Sequence, residues 1–317
     1  MFTLNNKSLP PCAIGTWAWG TGMNGSKMVF GNNYSEEQLA KTFDTAYNKG
    51  FVLWDTAEVY GMGNSERIVG RCIRDKDNAI LSTKFMPSKR YKKGKLEQSL
   101  NNSLSRLGVD SVDLYWLHQP FCLEENITEA VEQLKNGKIK SLGLSNCSLE
   151  QAQTADKLLR KHGFSLSAVQ NHYSLLAMST EQNELVSWCN KNNVIYFGYM
   201  ILEQGALTDS YSSKRMFPIF SIRRMNFSKR KFKKIEPLLN YQKKLADKYS
   251  VKPSQIPIAW SIYKGIISII GLTKPEYAQA LADGVKIQLE NDEIDQLEKL
   301  AKQSGVVCKG SWETNRS

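Results

Sequence analysis

Residues 51–66 read FVLWDTAEVYGMGNSE, a short apolar run that stops at an acid and is followed by a tyrosine and two glycines. Phe51, Val52, Leu53 and Trp54 have the composition of a buried parallel strand. Asp55 sits where that strand ends. A carboxylate directly behind four apolar residues is desolvated unless it meets a cation or several donors, so it predicts a partner elsewhere in the chain. Tyr60, followed by Gly61 and Gly63, lies on a close-packed loop where its hydroxyl is placed to point at something rather than to fill a core. Taken alone, the same residues fit an N-cap-like aspartate and an ordinary buried tyrosine.

The rest of the chain repeats the alternation. Upstream, KSLPPCAIGTWAWG (residues 7–20) carries a first apolar stretch ending at Thr16 and Trp17. A helix is expected over Ser35–Lys49, with Glu36 and Glu37 in its first turn, an apolar stripe of Leu39, Phe43 and Ala46, and Gly50 at its end. Further strand runs end at Trp54, Ser82–Thr83, Leu117, Leu144, Gln170, Gly198 and Ile270, most of them 26 to 34 residues apart, the spacing of one βαβ crossover. With the first strand they make eight βα units, which predicts one domain over residues 1–317 folded as a closed (β/α)8 TIM barrel. A doubly wound sheet is the competitor, but no G-x-G-x-x-G follows the first strand. The interval from Tyr199 to Gly271 is more than twice the others. It predicts an enlarged loop after strand seven, with a basic stretch at Lys214–Lys234 and a helix over Ile235–Tyr249. A last helix is expected over Asp292–Gln303, followed by an aperiodic tail from Val306 to Ser317.

Composition narrows the setting. No run approaches the roughly 18 apolar residues of a membrane span, and MFTLNNKSLP lacks the basic and apolar regions of a secretory leader, so the expectation is a soluble, cytoplasmic protein with no membrane partner. Six scattered cysteines without a C-x-x-C pair read as reduced thiols, with no metal site expected. The formal charge of +11 suits an anionic ligand, nucleic acid or a membrane surface, depending on where it sits.

In a barrel, residues at the carboxyl ends of the strands converge on one mouth. Here those positions supply Thr16, Asp55 with Tyr60, Lys84, His118, Ser145–Asn146, Gln170–Asn171 and Tyr199. Each has an ordinary reading, such as a solvated lysine or a satisfied core histidine. An acid, a cation, a phenol and an imidazole at one mouth form instead a set suited to proton transfer.

These positions and their settings resemble the catalytic tetrad of the aldo-keto reductase superfamily. The resemblance runs along nearly the whole chain, through DTAEVYG with NSE behind it, STK, SLSRLGVDSVDLYWLHQP, GKIKSLGLSN and VQNHYS. It implies an NADP(H)-dependent reductase of aldehydes or ketones, with Tyr60 as general acid, Lys84 and Asp55 tuning it, and His118 orienting the carbonyl. The chemistry agrees. Carbonyl reduction needs hydride at carbon and a proton at oxygen, and a phenol with pKa near 10 is a sluggish acid at neutral pH. An ammonium beside it is expected to lower that pKa, with Asp55 keeping the ammonium charged. Neutral His118 and Tyr60 would together face the developing oxyanion. A regulatory protein that binds NADP(H) with weak catalysis is the alternative, as is known of some members of the superfamily.

For the cofactor, the resemblance implies that Ser145, Asn146 and Gln170 bond the nicotinamide carboxamide and that the Tyr199 ring stacks on it, with Thr16, Trp17 and Asp55 nearby. YMILEQGAL resembles the loop that covers the pyrophosphate, placing Leu202, Gln204, Gly205 and Leu207 at the cofactor. GLTKPEYAQA resembles the adenosine-phosphate segment, with Gly271, Thr273, Lys274 and Tyr277. The chain departs from the family's usual pattern at Ile201 (often proline), Thr273 (often basic) and Ala280–Leu281 (often Glu–Asn). NADP(H) is expected over NAD(H), because Arg223 and Arg224 stand where the pattern brings arginine to the 2′-phosphate. Trp19, Met86 and Trp312 are expected, with Tyr60 and His118, around a small-molecule carbonyl substrate. The stretch Lys214–Lys234 carries nine positive charges and no acid, with Phe217, Phe220, Phe227 and Phe232 interleaved. A solvated loop is its first reading, a cofactor cover the second, and a nucleic-acid patch ranks third.

Overall fold

In the computed structural model, residues 2–21, 26, 30–219, 221–310 and 313 are described. Eight parallel strands close into a barrel: β1 (Cys12–Gly15), β2 (Leu53–Asp55), β3 (Ile80–Phe85), β4 (Leu114–Leu117), β5 (Leu142–Ser145), β6 (Ala168–His172), β7 (Ile195–Tyr199) and β8 (Ile267–Gly271). They pair in sequence order, and β8 closes on β1 with Gly271 opposite Gly15. The (β/α)8 expectation is met.

Two apolar layers hold this wall. Outward-facing residues such as Trp54, Tyr115 and Leu144 pack against the helices. Leu53, Ile80, Leu114, Trp116 and Phe197 fill the interior, closed below by Leu4 and Leu9 of an N-terminal hairpin, Thr3–Leu4 with Lys7–Ser8. Trp116 meets Phe197 edge-on at 5.3 Å. The Trp116 ring occupies the space a side chain at position 143 would need, since a Cβ on Gly143 would lie 2.4 Å from it.

The helices form for the local reasons expected. Ser35 caps Glu36–Asn48, whose buried face is Leu39, Thr42, Phe43 and Ala46. Asn291–Gln303 closes the C-terminal half with a capping box between Glu290 and Glu293. Among the described residues, no helix is long and apolar enough to cross a membrane.

The interval after β7 is organised differently from its expected form. Its long helix spans Lys229–Lys248 and starts six residues before Ile235, because the Ser228 side chain accepts from the Lys231 backbone N–H. Phe232, Ile235, Leu238, Gln242 and Leu245 then form one buried face. Lys229 to Lys234 are therefore helical, not loop. Phe217, Phe227 and Phe232 are buried against one another, so these rings are not free to stack on bases. Phe220 lies outside the described residues.

Candidate active site

Strand alternation builds the centre of the mouth. On β3, Ser82 and Lys84 face the interior, while Thr83 points outward and donates to Glu66. Lys84 is the fifth residue of its strand rather than lying beyond it, because β3 continues to Phe85. Asp55 ends β2 opposite Ser82, so its carboxylate receives the Lys84 ammonium on one oxygen and the Ser82 hydroxyl at 2.6 Å on the other. Lys84 also donates to the Thr56 carbonyl at 2.8 Å. Both charges are buried, and the partner that Asp55 required is Lys84.

Tyr60 stands on the loop between β2 and the helix Asn64–Ile73. Ser65 fastens that loop to β1 through the Thr16 carbonyl (2.9 Å) and hydroxyl (2.8 Å), and Thr16 in turn bonds the Asp55 carbonyl. Gly61 follows at φ 57°, and a Cβ there would lie 2.6–2.8 Å from the backbone of Gly20 and Thr21. A glycine is required at this contact. The Lys84 ammonium lies 5.0 Å from the centre of the Tyr60 ring, and His118, just beyond β4, meets that ring edge-on at 6.1 Å. The four candidate residues are thus brought together.

Their electrostatics differ from expectation at one point. Burial, and next the Asp55 carboxylate, push the Tyr60 phenol well above its usual range, so the expected lowering by Lys84 is not found. Burial lowers the Lys84 pKa against the opposing pull of Asp55. His118 is pushed down to about 3 by burial and by the Lys84 charge, and its Nδ1 has no partner among the described residues. His118 is therefore neutral at physiological pH.

Beside this centre, Ser145 and Asn146 close β5. Asn146, at φ 57°, donates to the His118 carbonyl at 2.9 Å and accepts from the Tyr199 hydroxyl at 2.6 Å. The Ser145 hydroxyl donates to the Gln170 carbonyl at 3.0 Å, and the Gln170 amide reaches Asp55 at 3.4 Å. Hydroxyl, amide and phenol groups thus surround one corner of the mouth, the donor and acceptor set a carboxamide needs.

Several expected contacts are redistributed. Trp19 is buried, bonds the Leu272 carbonyl at 2.6 Å and packs on Trp54, so it belongs to the core and not to a substrate wall. Trp17 stacks on Tyr60 at 5.9 Å instead. Met86 is half-buried just past β3, its backbone N–H held by Glu58. Trp312 lies outside the described residues. In the loop after β7, Leu202 and Gln204 are half-buried and Gly205 has φ 104°, whereas the Leu207 side chain is fully buried. Arg223 turns inward: it bonds the Gln204 and Phe30 carbonyls and lies over the rings of Phe30, Tyr211 and Phe217. It clamps the insertion, with its guanidinium turned to backbone carbonyls and rings rather than to open solvent. Arg223 Nε, Arg224 Nη1 and the Gln204 side-chain oxygen are buried without a partner among the described residues. Gly271, the last residue of β8, is exposed and Thr273 beyond it is buried, its carbonyl bonded by Gln38. Lys274 is partly exposed, 3.9 Å from Glu276 and over the Tyr277 ring at 5.8 Å. The Lys274 ammonium is thus an accessible cation beside the end of β8.

His172 and Glu203 are a polar pair that the motifs did not flag. Their signal was present, since a histidine ends VQNH and an acid interrupts YMILEQ, but they are 31 residues apart in sequence and meet only in the fold, at 2.8 Å.

The chain is similar to known proteins. Pyridoxal reductase, chloroplastic, of Arabidopsis thaliana is 30% identical over 94% of this chain and 84% of its own. Aldo-keto reductase yakc [NADP(+)] of Schizosaccharomyces pombe is 29% identical over 92% and 90%. The solved glycerol dehydrogenase AKR11B4 of Gluconobacter oxydans superposes with a TM-score of 0.82 at 25% identity over 95% of both chains. Residues 11–302 match the Aldo/keto reductase family, and with the closed barrel and its polar mouth in view, the chain belongs to that family.

Proposed function

We propose that the protein reduces aldehydes or ketones to alcohols with NADPH, Tyr60 acting as general acid. The observation that carries this reading is the convergence of Tyr60, Lys84, Asp55 and His118 at one barrel mouth. The cofactor reading is supported by the amide-and-hydroxyl corner at Ser145, Asn146 and Gln170, by the cationic groups of Arg224 and Lys274, and by the yeast relative, named for NADP(+). Held there, a reduced nicotinamide supplies the hydride.

The residues supply the rest. Neutral His118 and the phenol of Tyr60 face the carbonyl oxygen, which polarises the bond and fixes its direction. As hydride reaches carbon, the oxygen becomes an alkoxide, a stronger base than a phenolate. Tyr60 therefore donates its proton downhill even with a raised pKa. The Lys84 ammonium, fixed by Asp55 and the Thr56 carbonyl, then steadies the phenolate until solvent reprotonates it.

The test is loss of reduced-nicotinamide absorbance with a panel of carbonyls that includes activated aromatic aldehydes and pyridoxal. Turnover that vanishes in Tyr60→Phe while NADPH still binds is the expected result. Tight NADPH binding without turnover of any carbonyl would replace this reading with a cofactor-sensing one.

A further inference from the structure

Strand β6 ends in His172, whose ring is stacked on Tyr199 at 5.6 Å and 26°. Its Nε2 lies 2.8 Å from the Glu203 carboxylate, and the Lys309 backbone also favours its protonated form. Glu203 is an acceptor, so His172 carries a proton on Nε2 in this contact, and its pKa is raised. Glu203 is buried, its carboxylate also accepts from the Ser174 hydroxyl, and its charge raises the pKa of the nearby Cys308 thiol. This acid stands in a strained stretch: Met200 (φ 62°), Glu203 (φ 45°) and Gln204 (φ 56°) adopt left-handed conformations before Gly205 at φ 104°. Side-chain-bearing residues hold such angles only where their surroundings over-determine them. One buried ion pair thus joins the end of β6, the loop after β7 and the C-terminal segment.

We propose that His172 and Glu203 are a positioning pair for the cofactor: their contact holds the Tyr199 ring and the backbone of residues 200–205 in the geometry that receives the nicotinamide and pyrophosphate. The proposal rests on the cofactor reading above. Tyr199 connects the pair to the corner at Asn146, to which its hydroxyl donates at 2.6 Å, so a shift of His172 moves both the stacking surface and the carboxamide partner.

The pair makes this positioning dependent on pH. The groups that face it are Glu203 from the loop after β7, Glu313 and Cys308 from the C-terminal segment, Ser174 and Tyr199, with Lys231 of the long helix facing Cys308. Burial opposes the imidazolium, but the two acids and the Lys309 backbone outweigh it and raise the His172 pKa. A base with a raised folded pKa keeps its contact below that value and loses it as pH rises through it. Cofactor affinity is therefore expected to fall on the alkaline side of the ordinary imidazole range. The 2′-phosphate, with a second ionisation near pH 6, is already fully charged there.

The experiment is the dissociation constant of NADPH, by quenching of intrinsic fluorescence, from about pH 6.5 to about pH 9, for wild type, His172→Gln and Glu203→Gln. Glu203→Gln preserves shape while removing the charge, so it serves if His172→Gln fails to fold. At the acid end both variants should bind about 10-fold more weakly than wild type. They should also lose the pH dependence, with the KM for NADPH raised and that for the carbonyl unchanged. Variants that match wild type in affinity and in pH profile would overturn the proposal. If wild type itself binds no reduced nicotinamide, the cofactor reading falls and takes this proposal with it, a result distinct from unaffected variants.

Discussion

Substitution of Lys84 by methionine tests the buried pair at the heart of the mouth. Lys84 is fully buried and Asp55 almost so. Methionine keeps most of the volume but removes the ammonium and its bond to the Thr56 carbonyl. Asp55 would retain only the Ser82 hydroxyl at 2.6 Å and the Gln170 amide at 3.4 Å. A buried charge stripped of its partner costs about 3–5 kcal/mol, whereas removing both charges is far milder. With a slope of about 2–3 kcal/mol per molar urea, the unfolding midpoint of Lys84→Met should fall by about 1–2.5 M. Asp55→Asn/Lys84→Met should recover most of that loss. Both variants should be inactive, because neither can steady a phenolate at Tyr60. The assay is urea unfolding followed by tryptophan fluorescence, closed into a double-mutant cycle. A single variant that loses under about 1 kcal/mol, or a double variant no more stable than the single, would refute an energetically coupled pair.

Three further predictions use other parts of the site. Tyr60→Phe should lower turnover by about 10²-fold or more with NADPH affinity nearly unchanged; because the phenol is pushed upward, wild-type turnover at saturating NADPH should stay flat to beyond the usual phenol pKa of about 10 and fall only above it, as pH–rate profiles will show. His118, held at about 3, stays neutral in the fold while an unfolded histidine takes up a proton below about 6.5, so stability should drop by about 1.4 kcal/mol per pH unit in that window. Calorimetry of His118→Gln should show a shallower acid slope, and an unchanged slope would count against a neutral His118. For cofactor choice, Arg224→Ala and Lys274→Ala should each weaken NADPH about 10-fold with little effect on NADH, while Arg223→Ala should chiefly destabilise the insertion; a preference untouched by the first two would place the phosphate elsewhere.

Much of the architecture was legible along the chain because its causes are local. Leu39, Phe43 and Ala46 are spaced to bury one helical face wherever that helix packs, and Leu53–Trp54 make a two-sided strand before any neighbour is known. Strand ends at regular intervals sufficed for eight units, and therefore for closure and for a polar mouth. Ser228, by contrast, is a small cap signal ahead of Pro237, and the helix start it sets lies six residues before the apolar periodicity at Ile235 makes a helix evident.

What the sequence by itself determined was the set of strands and the inventory of chemical groups at their carboxyl ends. Tertiary structure alone decided which of those groups touch and with what sign. Trp17 and Trp19 are two residues apart, yet one stacks on Tyr60 and the other is sealed behind β8. Arg223 and Arg224 are adjacent, yet only the first is clamped among aromatic rings. The Tyr60 phenol moves up because its site is buried and Asp55 lies near it, a placement that brings a loop and two strands together. His172 and Glu203 meet only because β6 and β7 pair in register, opposing His172 to Tyr199 at the mouth. Periodicity records which way a side chain faces; contact and desolvation depend on register and closure, which no local stretch encodes.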